Sequence, residues 1–361
     1  MQGHANSGDR PALTQRFGFA GKPLLVRSNS AEILRHAASF FTQLDDCAPL
    51  GSDSAVVTLV VNNQCGAEPA DAPLFRGRGH FAMARFTSDD VAWFNLRARR
   101  AFGTFSRSTA NNQQHWHKHI LPAIAGILAP VLDVTPVHAA CLAKNDRGIL
   151  LAAPSGAGKS TLAVALAQMG YRFLADEWTY LAEQSGELRA WSLPVPIKLL
   201  PDAIRFLPEL AQYKCTKSLN GEIAFEVSAE GCFSLTRAEH CSIQFITLLE
   251  RSTRHKCSIV TCSPAKAMEQ ITREIEPLVG SMESTYRRQL ELLTRLSGAA
   301  CFELKFNAHP QTVAIALDRL LTRALDGEHA SPPGTIADMN TDGIELPQSW
   351  FSTIGEANGN A

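Results

Sequence analysis

With 361 residues, 45% of them apolar, the chain is long enough for about two domains and a sizeable core. Its 34 basic and 35 acidic residues leave a formal net charge of −1, which excludes an overall pull toward nucleic acid or anionic membrane, so partners must be recognised locally. No apolar run approaches the roughly 20 residues of a membrane span. Residues 1–16 are polar and lack the apolar segment of a secretion signal. Nine cysteines without paired Cys-x-x-Cys spacing read as reduced, buried thiols of a cytoplasmic protein.

Along the chain, residues 1–16 are expected to be a flexible N-terminus and 17–107 an N-terminal α/β domain. Runs at 23–26, 55–61 and 81–86 have strand character, and 31–44 has the spacing of a helix. Pro73, Gly77 and Gly79 make 71–79 a loop between strands. Arg97, Arg99, Arg100 and Arg107 lie among Phe94, Phe102 and Phe105, a mixture found on nucleic-acid faces. With no supporting net charge, a solvated strand edge or domain junction is the better reading, and neither a nucleic-acid nor a membrane partner is expected.

Residues 108–326 carry the chemistry. A helix is expected over 114–132, with Ile120, Ile124, Ile127 and Leu128 on one stripe and Pro122 forcing a late start or a kink. Two buried strands, 137–143 and 148–152, are joined by a polar turn at 144–147. The octapeptide Ala153-Pro154-Ser155-Gly156-Ala157-Gly158-Lys159-Ser160 then opens a helix over 159–169, which Gly170 caps before a strand at 171–175. Strand, glycine-containing loop, Lys-Ser, helix and strand in this order make a P-loop unit rather than a turn that binds nothing. Gly156 and Gly158 let the backbone turn tightly and aim N–H groups at phosphate oxygens, and the start of the helix adds positive potential. Nucleotide is therefore expected at Ser155, Gly156, Ala157, Gly158, Lys159, Ser160 and Thr161. Lys159 would reach the β and γ phosphates of ATP and Ser160 would hold Mg²⁺. Ala153 stands where such loops usually begin with glycine.

Asp176 and Glu177 follow the next strand, 176 − 159 = 17 residues after Lys159, so one short helix returns both carboxylates to the loop. Adjacent residues of an extended strand point opposite ways, so one carboxylate is expected to serve the metal and the other to take a proton from the nucleophile.

The segments His138-Ala139-Ala140, Gly148-Ile149-Leu150-Leu151, Ser155 to Ser160 and Gly170-Tyr171-Arg172-Phe173-Leu174-Ala175-Asp176-Glu177 together resemble the core of HPr kinase/phosphorylase. More loosely, the layout looks like the wider group of HPr-kinase-related proteins. The resemblance spans 138–177 and implies an HPr-kinase-like P-loop kinase core of α/β class, preceded by an N-terminal α/β region. It implies His138 as an active-site histidine, Lys159 as the phosphate-binding lysine, Ser160 and Asp176 at the metal, and Glu177 where the family places the aspartate that accepts the substrate's proton. The family's Arg-Gly-Leu-Gly stretch and its metal-binding glutamate have no counterpart after Glu177, so phosphorolysis is not expected. In their place, 193–198 reads as a proline-bounded strand ending in Lys198, which approaches either the site or solvent.

Downstream, a strand over 242–250 ends at Arg251, either a second cation near the transferred phosphoryl group or an ordinary strand-end residue. Helices are expected over 265–279, 283–296 and 310–325, with a strand at 300–306. Residues 327–361 read as a mostly mobile tail with one docking point at Trp350 and Phe351.

The expectation is an ATP- and Mg²⁺-dependent kinase that phosphorylates a hydroxyl, most simply a serine of an unidentified protein or peptide. A small-molecule P-loop kinase and a non-catalytic nucleotide-binding module are the alternatives, and assembly into a homo-oligomer stays open. An ABC-type ATPase fails on spacing, because its Asp-Glu pair lies far downstream of a Leu-Ser-Gly-Gly-Gln signature that this chain lacks.

Overall fold

Most of the β-rich sequence forms two large sheets that turn apolar faces toward a shared interior. The computed structural model describes residues 12–44, 51, 53–62, 73–218, 221–254 and 256–325, a mixed α/β chain with a third, three-stranded sheet. The expected tail at 327–361, with Trp350 and Phe351, lies outside the described residues, as do residues 1–11 of the expected flexible N-terminus.

The first sheet has eight strands in the order Thr42–Gln43, Leu13–Phe19, Lys22–Ser28, Ala55–Val61, Arg100–Phe105, Val91–Asn95, Phe81–Arg85, Leu74–Arg78. Residues 13–16 are therefore strand, not flexible N-terminus. They pair with Lys22–Ser28 across a turn in which Ala20 and Gly21 both take positive φ, the turn that matches strand twist. The expected loop 71–79 is also corrected. Leu74–Arg78 pairs antiparallel with Phe81–Arg85, and Gly79, at φ 60°, marks the hairpin turn between them. The helix expected to run to 44 stops at Ala38, since Phe40 and Phe41 must turn into the core and Thr42–Gln43 pairs with the first strand.

The inner face of this sheet, including Val57, Leu59, Phe94 and Phe105, packs on Trp116, Ile120 and Ile124, on Tyr180 and Trp191 from the second sheet, and on Leu193 just beyond it. Phe94 and Phe105 are thus interior while Phe102 is 46% exposed, so the arginines and phenylalanines of 94–107 do not form one surface. Arg99 instead donates through Nε to the carbonyl of Val131 at the junction, 2.6 Å away. The expected helix 114–132 is a series: Gln113–His115, a π-helical turn Trp116–Ile120, an α-helix Leu121–Leu128 and a 3₁₀ turn Ala129–Leu132. Pro122 has no N–H to give back to the preceding turn, and the wider π turn absorbs that loss.

The second sheet is organised around one long strand, His240–Arg251. One edge runs parallel to Arg147–Ala152; the other pairs antiparallel with Glu187–Trp191 at its start and parallel with Ala300–Phe306 further along. Ala139–Lys144 lies antiparallel to Arg147–Ala152 across a two-residue turn, Asn145-Asp146, both with positive φ. Arg172–Ala175 extends the sheet beyond Ala139–Lys144. The helix Lys159–Gln168 is apolar nearly all round, because it is sandwiched in the cluster that also holds Val313, Leu317 and Leu321 of the C-terminal helix Pro310–Leu325. Of the expected strand 193–198 only Ile197–Leu199 pairs, with Ile223–Val227 in the third sheet. The expected helix 265–279 ends at Thr272, and 283–296 forms a helix Glu283–Thr294 continued by a 3₁₀ turn.

All seven described cysteines are free, with Cys141 and Cys241 in contact at 3.8 Å across the buried sheet; Cys47 and Cys65 lie outside the described residues. Among the described residues no helix is long and apolar enough to cross a membrane. Gly148 leaves no room for a side chain: a Cβ there would meet Cys241 Sγ at 2.5 Å and the Ser242 carbonyl at 2.9 Å. Gly148→Ala is expected to cost about 1–3 kcal/mol, the scale of overpacking, read as a lowered urea midpoint. An unchanged midpoint would contradict this packing.

Candidate functional site

Strand direction gathers the site. Arg147–Ala152 and His240–Arg251 run parallel, with Ala152 opposite Leu248, so the loop after Ala152 and the end residue Arg251 share one edge of the sheet. Ala139 lies opposite Ala152 in the antiparallel neighbour, which brings His138 to the same edge. Arg172–Ala175 runs in the same direction as Arg147–Ala152 and delivers Asp176 and Glu177 there. The cleft so formed encloses about 690 Å³ including its open mouth, and His138, Ser155, Gly156, Gly158, Lys159, Ser160, Thr161, Asp176 and Glu177 all line it. Of the expected nucleotide-binding residues only Ala157 does not; its side chain packs against the hydrophobic cluster beneath.

The loop needs its glycines. Gly156 has φ 78° and Gly158 φ 98°, a region that side chains strain. At Gly158 a Cβ would also come within 2.8 Å of Arg251 Nη2. The Arg251 guanidinium lies 4.5 Å over the Phe306 ring, which holds it against the loop. Lys159 is buried and folds back so that Nζ donates to the Ala153 carbonyl at 2.7 Å and to that of Pro154 at 3.4 Å. Burial lowers its pKa, while the charges of Glu274, Glu177 and Asp176 pull the other way.

Asp176 and Glu177 divide as an extended chain requires. Asp176 is only 4% exposed; it accepts from the Lys198 N–H at 2.9 Å, and the Ser160 hydroxyl beside it lowers its pKa. Burial pushes its pKa up to about 7, against the pull of these two neighbours and with a further push from Glu177. Glu177 is half-buried at the mouth, 3.8 Å from Lys198 Nζ, which also pairs with Glu222 at 2.7 Å. Thr179 fixes the turn after them by donating to the Ala139 carbonyl at 2.8 Å.

His138 pairs through Nδ1 with Glu274 and lies 5.3 Å, ring to ring, from Trp178. Glu274 is a site residue that the sequence reading missed. It falls inside the stretch 265–279 expected to be continuous helix, and only the early stop at Thr272 frees it. Asp202 and Glu222 were also missed; they reach the cleft from outside the sheet, and no spacing rule connects them to the loop. For Lys198 and Arg251, each left open between site and surface, the structure decides for the cleft. Among the described residues no group of three or more His, Cys, Asp or Glu side chains is arranged to hold a metal by itself. Any cation here would share its shell with a ligand's oxygens.

No protein-family model matches the chain, and no curated protein matches its sequence. Among solved structures, the HPr(Ser) kinase/phosphatase from Coxiella burnetii is similar over 54% of this chain and 99% of its own, at 14% identity and a TM-score of 0.29. A TM-score that low carries no inference about fold or activity.

The buried carboxylate has a stability signature. Asp176 keeps its proton up to about pH 7 in the folded chain, whereas an unfolded chain releases it near pH 4. Its contribution is therefore full at low pH and lost as pH rises through that window, at about 1.4 kcal/mol per unit of pKa difference. In ligand-free protein, Asp176→Asn is expected to gain stability relative to wild type as pH rises from about 5 to about 8. Chemical denaturation across that range checks it, and parallel curves for the two proteins would contradict the assignment.

Proposed function

We propose that this chain is an ATP-dependent phosphotransferase that moves the γ-phosphoryl group of ATP to a hydroxyl, in the manner of an HPr-kinase-like serine kinase. The observation that carries the reading is the convergence, on one sheet edge, of the 153–160 loop, the neighbouring Ser160 and Asp176, Glu177 and the His138–Glu274 pair.

The residues present fit the ligands. The cradle at Gly158 is one that a Cβ would fill, and the N–H groups that open the Lys159–Gln168 helix have no intrahelical partners of their own. An adjoining hydroxyl and carboxylate, Ser160 and Asp176, are the hard oxygen donors that Mg²⁺ takes together with phosphate oxygens. When bound, Mg²⁺ supplies charge neutralisation on the phosphate oxygens. Lys159 and the loop N–H groups orient the phosphates, and Arg251 adds a second cation beside the loop.

The structure's division of burial supports a division of roles. Asp176 is sealed beneath Ser160 and suits the metal, while Glu177 stands at the mouth, where an acceptor hydroxyl can reach it. In the transfer, the acceptor oxygen bonds to the γ phosphorus, the bond from that phosphorus to the bridging oxygen of ADP breaks, and the acceptor's proton passes to Glu177. His138, held by Glu274, borders the same space. A serine of a protein or peptide is the acceptor suggested by the resemblance over 138–177, with residues 108–326 as the kinase core and 17–107 as the appended α/β region.

Calorimetry with Mg²⁺ and ATP tests the reading: wild type is expected to bind, and Lys159→Ala to lose that binding. Equal affinity in the two proteins would end it. Glu177→Gln is expected to keep ATP affinity while slowing transfer by roughly 10² or more, the scale of a lost general base. Transfer at the wild-type rate would remove Glu177 from that role.

A further inference from the structure

The N-terminal sheet has a second face whose last five strands leave three aromatic side chains exposed, although Val60 on that face is buried. Register places Arg76, Met83, Trp93, Phe102 and Thr58 in one row across those strands, with Arg78, Phe81, Asn95 and Arg100 in the next. Phe81 is 55% exposed, Trp93 48% and Phe102 46%. Contiguous exposed aromatics of this kind mark interaction surfaces. The charge within the strands themselves is of one sign. No strand of the eight contains an aspartate or glutamate, and Arg27, Arg76, Arg78, Arg85 and Arg100 are all exposed. Among the described residues none of these five arginines is in an ion pair. An occupant must therefore be apolar in part and acidic overall.

The same chain carries such a segment. Residues 326–361, which lie outside the described residues, contain Asp326, Glu328, Asp338, Asp342, Glu345 and Glu356 but no lysine or arginine. Ile344, Leu346, Trp350 and Phe351 sit among those acids. The segment follows directly on the helix Pro310–Leu325. At about 3.3 Å per residue its 361 − 325 = 36 residues reach roughly 120 Å when extended, more than the span of a chain of this size. Tethering gives it an effective concentration on the order of millimolar, which a weak docking surface needs.

We propose that the C-terminal segment 326–361 docks on the outer face of the N-terminal sheet, its apolar residues on Phe81, Trp93 and Phe102 and its carboxylates against the arginine rim. The chain's overall charge offers no attraction to a polyanion, whereas this segment matches the face in both charge and apolar content. The inference is independent of the phosphotransferase reading.

The test uses the full chain with p-benzoylphenylalanine in place of Trp93, prepared as a mixture of isotopically heavy and light protein and irradiated. Mass spectrometry is expected to find cross-links from position 93 to residues 326–361 within one chain. Reversing Arg76, Arg78 and Arg85 to Glu is expected to lower their yield about tenfold, the combined scale of three exposed charge pairs. Reversing Asp338, Asp342 and Glu345 to Lys in the same protein is expected to restore it, with circular dichroism confirming that each variant is folded. Absence of cross-links to the segment in the Trp93-substituted chain would overturn the proposal. So would heavy-to-light cross-links, which place a second copy on the face, displacement by a single-stranded oligonucleotide at micromolar concentration, or a yield indifferent to both charge reversals.

Discussion

The Asp176 carboxylate is the point on which the rest of the candidate site depends. It is buried, and burying a charge without partners is costly, so the fold sets polar groups around it: the Lys198 N–H from the third sheet, which donates to it, and the Ser160 hydroxyl from the first turn of the helix after the glycine loop, which lies beside it. Together they bring three separate stretches of chain to one carboxylate. They also explain why the pKa settles near 7: desolvation is only partly offset. Removing the partners would leave a protonated acid and a loop with no fixed relation to Glu177.

Around that pivot the molecule separates rigid support from exposed chemistry. The helix Lys159–Gln168 is locked between the second sheet and the C-terminal helix, so the loop rests on a packed base and not on solvent. The side chains that face the cleft come instead from strand ends: His138, Glu177 and Arg251. The first sheet contributes nothing to the cleft lining. Its inner face is joined to the second sheet through Phe94, Phe105, Trp116, Tyr180 and Trp191, which makes it a structural partner whose outer face remains available.

Much of this was legible in the residues. Local patterns read well: the strands 55–61 and 300–306 and the helix 310–325 have the expected bounds, and the turn at 144–147 and the glycine after the loop helix fall where spacing puts them. Of the ten residues expected around the loop and carboxylates, counting His138, all but Ala157 line one cleft. Failures came where long-range contacts decide. Gly77 and Gly79 suggested a loop because glycine is ambiguous between loop and hairpin, and only pairing with 81–85 resolves it. Glu274, Asp202 and Glu222 reach the site from stretches that carry no local signal, since their place depends on how the sheets stack. Lys198 and Arg251 were suspected, but a strand-end cation looks the same in sequence whether it faces solvent or a phosphate.

A crystal structure with Mg²⁺ and a non-hydrolysable ATP analogue tests the central claim most directly. The account predicts the triphosphate against the backbone of 155–160, Lys159 Nζ released from the Ala153 carbonyl to the phosphates, and the cation beside Ser160 and Asp176. A nucleotide bound elsewhere, with Lys159 still turned back on its own loop, would contradict it.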